Sequence, residues 1–129
     1  MKITCDVSVE VTVPAVAERV SLVRHAIGDV LDDTAVPETS AVDLLLALDA
    51  MCSVIIQCSD ESRPLTCQCT VGDTHARLRV TGHLVGDVEL RRRGYAWRLL
   101  DSTVDGLTVA SHDDGSVQLS GHKAHRSAD

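Results

Sequence analysis

Thiols, two carboxylates inside an apolar run and a few arginines are the side chains of this sequence with chemistry to offer. The cysteines are Cys5, Cys52, Cys58, Cys67 and Cys69. Cys67 and Cys69 fall two residues apart, so in a strand both thiols point to one side. With Cys58 or His75 they could supply ligands to a metal, but this spacing matches no zinc pattern. An odd number of thiols in mostly apolar surroundings reads instead as free, buried and structural. Free thiols imply a reducing compartment. The chain opens on an alternating segment, not on a basic stretch followed by an apolar one. No secretory signal is therefore expected, and a cytoplasmic setting is.

The carboxylates are Asp43 and Asp49, within the apolar stretch Ser40–Ser59. On a helix, Asp43, Ala47, Ala50, Val54 and Gln57 fall within about 80° of one another. The middle of that face is small or apolar, which reads as a packing surface. Arg24 stands on the polar side of a second amphipathic segment and reads as a solvated arginine, with Glu10 or Asp32 as potential surface partners. Arg91-Arg92-Arg93 is a short basic run, and three charges do not make a nucleic-acid patch. The net charge is −7, and Tyr95 and Trp97 are the only tyrosine and tryptophan, with no phenylalanine. An acidic chain with so few rings repels phosphate backbones and cannot stack bases, so nucleic acid is not an expected partner. A basic protein surface is easier to accommodate.

The elements that position these residues follow from periodicity. Val42–Ile56 contains only Asp43, Asp49 and Ser53 as polar residues and is too long for a typical strand, so it reads as a central helix. Thr39 or Ser40 is the expected cap, and Asp43 suits the positive end of the helix dipole. Asp49 in mid-segment and flanks without basic bias argue against a membrane span. Ile3 to Val13 alternates apolar and polar residues, as a strand with one wet face does. Val16, Val20, Val23, Ile27 and Val30 recur at helical spacing up to about Asp32. Leu65–Val71 and Ala76–Thr81 read as a hairpin around Gly72-Asp73-Thr74. Gly82–Arg93 reads as a loop, and Gly94–Val104 as a short helix. Leu107–Ala110 and Val117–Leu119 form a second hairpin, and His122–Asp129 a frayed polar tail. One domain over residues 1–121 is expected. It is an α/β two-layer sandwich whose mixed, mostly antiparallel sheet has helices on one face.

This order, with the segments VSLVRHAIGDVL, DLLLALDAMCSVII and RGYAWRLLDSTVDGLTV, resembles the GHKL ATPase fold. Within it the chain is similar to the small anti-sigma factor serine kinases of the RsbW and SpoIIAB type, over roughly Val7 to Leu119. The resemblance implies a sigma factor or an anti-anti-sigma factor as partner, and homodimerisation. It also implies that Arg24 matches a helix arginine that contacts the bound sigma factor. The departures weaken the implied kinase. Ala50 stands where active members carry a glutamate base, and alanine cannot take a proton. Val54 stands where they carry the magnesium-holding asparagine, and valine offers a hard cation no oxygen. Gly82 or His83 falls nearest the adenine-binding aspartate, and Asp87 comes five residues late. Gly94 matches a glycine of the next box, Ala96 replaces its second glycine, and Ser116 matches a hydroxyl near the nucleotide. The expectation is a regulatory protein-binding module without ATP, magnesium or phosphotransfer. The alternative is an active serine/threonine protein kinase with a rearranged ATP site.

Overall fold

The computed structural model of the chain describes residues 7–86 and 88–125. Its strands are β1 (Val7–Pro14), β2 (Pro64–Val71), β3 (His75–His83), β4 (Gly106–Ser111) and β5 (Ser116–Ala124). Its helices are α1 (Val20–Asp32), preceded by a 3-10 turn at Ala17–Arg19, α2 (Glu38–Ile56) and α3 (Tyr95–Thr103). The sheet order is β1-β2-β3-β5-β4, and all four pairings are antiparallel. The parallel component allowed for by a mixed sheet is therefore absent among the described residues. The connection through α3 carries the chain to the sheet edge, where β4 forms, and the tight β4–β5 turn brings β5 back beside β3.

Strict alternation in β2 decides which face is buried. Leu65, Cys67, Cys69 and Val71 point inward, next to Val13 of β1 and Leu78 and Val80 of β3. α2 crosses β3 and β5, while α1 covers β1 and β2. Leu44, Leu48, Met51 and Ile55 of α2 are fully buried between these layers. By length and composition α2 is apolar enough to cross a membrane. In this fold its apolar side is instead covered by the sheet, α1 and α3. Among the described residues the opposite face of the sheet carries polar side chains and no helix.

Two expectations need correction. α2 starts at Glu38, and Pro37, not Thr39 or Ser40, occupies the cap position without a side-chain hydrogen bond. Pro37 is held extended at ψ 148°, and its carbonyl accepts the first helical bond from Ala41 N at 2.9 Å. Glu38 then supplies the negative charge of the first turn. The second correction concerns the polar tail expected from His122. β5 continues to Ala124, with His122 opposite Arg77 and Gly106, and Lys123 opposite Ala76. Asp105 Oδ2 accepts from Ala124 N at 2.6 Å, and Lys123 Nζ lies 3.1 Å from Asp43 Oδ2 on α2. The remainder of that tail, residues 126–129, lies outside the described residues, as do Ile3, Cys5 and Asp87.

Candidate binding site on the central helix

One face of α2 is left open at its C-terminal half. Ala50 and Val54 are 3% and 2% exposed and form the floor of a cavity of about 490 Å³. Leu99 and Ala96 of α3 form its opposite wall. Gly94 caps α3 at φ 95°, a left-handed conformation that favours glycine, and its carbonyl accepts from Arg98 N at 3.1 Å. That turn brings Tyr95, Arg91 and Arg93 to the mouth of the cavity.

Arg24 meets this site from the side. Its Nε donates to Asp49 Oδ1 at 3.0 Å, linking α1 to α2. The expected surface partners Glu10 and Asp32 are not used. Asp49 also lines the cavity, although it is one residue, about 100° of helix, from Ala50. Both side chains of the pair remain partly exposed, at 48% and 37%, so the pair adds little stability and leaves Arg24 accessible. One helical turn before Asp49, Leu46 is 40% exposed, and Val42 a further turn back is 50% exposed. Arg24 therefore sits on a helical surface with apolar side chains close by.

The remaining expected site residues are placed less compactly. Gly82 is buried on β3 against α2, where an added Cβ would lie 2.5 Å from Ile55 Cγ2. His83 faces the other side of the sheet, and its Nδ1 is buried without a hydrogen-bond partner. Ser116 does not join Gly94 and Ala96. It lines a different groove with Leu84 and His112, and its hydroxyl donates to Asp114 Oδ1 at 2.7 Å. The hydrogen bonds from the Ser116 hydroxyl and N–H hold the Asp114 carboxyl below its ordinary range. His75 and the thiols Cys67 and Cys69 are on opposite faces of the sheet, which removes the metal set that their spacing allowed. Among the described residues no group of three His, Cys, Asp or Glu side chains could hold a metal ion.

The floor of the cavity offers a magnesium ion no side-chain oxygen. Alkyl groups occupy the floor at Ala50 and Val54, and there is no room for a side chain at Gly82. Among the described residues Asp49 is the one carboxylate lining the cavity, and Arg24 engages it. Sequence reasoning reached the floor through helical periodicity. It missed Arg91, Arg93 and Asp49 as lining residues. The adjacency of the basic run to Gly94 was the only signal for the two arginines.

No protein-family model and no curated protein matches the chain. Among solved structures, the chain is similar to the crystal structure of the RsbU and RsbW domains of Rv1364c from Mycobacterium tuberculosis. The TM-score is 0.66 at 11% identity, over 94% of this chain. The chain spans 33% of that longer protein chain. At this identity the likeness speaks for architecture alone, a five-stranded antiparallel sheet backed by helices.

Proposed function

We propose that the chain is a regulatory protein-binding module of the anti-sigma factor type. It holds a sigma factor or an anti-anti-sigma factor in the cytoplasm, does not phosphorylate it, and works as a homodimer. A fold can outlast its chemistry, because function lives in the site and not in the scaffold. The observation that carries this reading is the contrast between two neighbouring surfaces. The cavity floor at Ala50 and Val54 has no proton acceptor and no metal ligand. Beside it, Arg24 keeps a partly exposed guanidinium on Asp49, on the helix face that also carries exposed Leu46 and Val42. An arginine among apolar side chains is the composition of a protein-binding hot spot.

The test is affinity for a sigma factor or an anti-anti-sigma factor from the same cell, by calorimetry. Arg24→Ala is expected to weaken binding by about 2 kcal/mol, roughly thirtyfold, with an unchanged melting temperature. Equal affinity of both proteins would show that the binding surface lies elsewhere. The second reading is a serine/threonine kinase with a rearranged ATP site, and Asp49 in the cavity wall favours it. That reading requires phosphate transfer from ATP to the captured partner, and loss of transfer in Asp49→Asn.

A further inference from the structure

The face of the sheet that carries no helix is locally basic, although the chain as a whole has a net charge of −7. Arg77 and Arg79 both project there from β3. Across the neighbouring strands they face Thr70 and Gln68 of β2, and His122 and Ser120 of β5. The His122 ring lies over Gly106 and 5.8 Å from the His75 ring. Arg77, Arg79, Gln68, Thr70, His75 and His122 line a groove of about 730 Å³ that runs up to the β2–β3 turn. Within it the Arg79 Nε is buried and has no hydrogen-bond partner among the described residues. A buried guanidinium N–H without an acceptor is costly, and an incoming oxygen relieves that cost. One carboxylate, Asp73 in the turn, lines the groove at that end, and Glu10 stands on β1, which is separated from β3 by β2.

We propose that this groove binds a carboxylate-rich, extended segment of a partner protein, making a second interface on the side of the sheet opposite Arg24. Guanidinium forks match carboxylates in a planar, bidentate manner, and Arg77 and Arg79 offer two such forks on one strand. Gln68, Thr70 and Ser120 add neutral hydrogen-bonding groups beside them. The groove reaches across β2, β3 and β5, roughly 10 Å at the spacing of sheet strands, which suits a segment with several acceptors better than a single small anion. The acidic net charge does not forbid this. Charges separated by more than about 10 Å are largely screened at 0.1 M salt, so the local arginines decide what docks. The surface stands independently of the anti-sigma reading, since it uses none of the α1–α2 residues.

Fluorescence anisotropy of a labelled oligoglutamate peptide, titrated with the full chain, tests this directly. Saturable binding is expected, weakened about tenfold or more by Arg79→Gln and by Arg77→Gln. Arg24→Ala and Arg92→Gln, outside the groove, should leave it unchanged. Arg79→Lys keeps the charge and removes the fork, so weakened binding by this variant at an unchanged melting temperature separates recognition from folding. Four results would overturn the proposal. They are absence of saturation, equal weakening by Arg92→Gln, displacement of the peptide by inorganic phosphate at matched charge, and self-association of the chain that Arg79→Gln abolishes.

Discussion

A methyl group placed on Gly82 would sit 2.5 Å from Ile55 Cγ2 and 3.4 Å from Leu65 Cδ1. Ile55 and Leu65 are both fully buried, so neither can swing into solvent to make room. Gly82→Ala is therefore expected to destabilise the fold by about 1–3 kcal/mol, the usual cost of overpacking. A urea midpoint equal to that of the parent chain would show that α2 yields more easily than its packing suggests. An aspartate there would add a buried charge to the same clash. Ala50 and Val54 tell a related story in a cavity that is open. A ligand at about 100 times its dissociation constant raises stability by about 2.7 kcal/mol, several degrees of melting temperature for a domain of this size. Millimolar ATP with magnesium is expected to leave the melting temperature where it is. A magnesium-dependent rise would move the balance to the kinase reading. These two floor positions were legible in the sequence because helix periodicity alone puts them on one face. The Arg24–Asp49 pair was not, because it joins two helices whose relative placement is set by packing.

Three buried thiols, Cys52 on α2 and Cys67 and Cys69 on β2, belong to the core between the central helix and the sheet. Cys52 and Cys67 approach to 3.8 Å between sulfurs, and Cys67 and Cys69 are fully buried. The Cys67 thiol beside it, and then burial, push the Cys52 thiol far above its ordinary value. Burial pushes Cys69 up to about 11. Raised thiols such as Cys52 and Cys69 are poor nucleophiles, and Cys67 is shielded by burial. Under native conditions Cys52, Cys67 and Cys69 are expected to resist alkylation, and half-exposed Cys58 to react ahead of them. After denaturation all five cysteines should be modified, and a disulfide or a stoichiometric metal would contradict this. The same shifts have a sign in pH. Unfolded thiols ionise near the ordinary value of 9.0 while folded Cys69 does so near 11, so stability is complete below pH 9 and declines between those values. β2 was easy to read because its alternation is unbroken from Leu65 to Val71. The end of β5 was not, because the inward position there is Lys123, whose ammonium reaches Asp43 instead of joining the apolar core.

At the scale of the whole molecule, the strand order leaves β1 and β4 as the two edges. β1 has eight residues and pairs on one side only among the described residues, and exposed Val7 stands at its start. A long open edge needs cover, and a second copy is the simplest source. Light scattering at high micromolar concentration is expected to give the mass of a dimer, and a monomer would exclude the edge as an assembly surface. The same strand order carries a consequence for biosynthesis. β5, the last strand among the described residues, is not at an edge but between β3 and β4. Until residues 116–124 have left the ribosome, the inner flank of β3 has no neighbour, and Val80 and Met51 lack part of their apolar surroundings. At about 5–20 residues per second, that interval lasts some seconds after β3 itself has emerged. The sheet can therefore be completed only after β5 has emerged, when Lys123 comes within reach of Asp43.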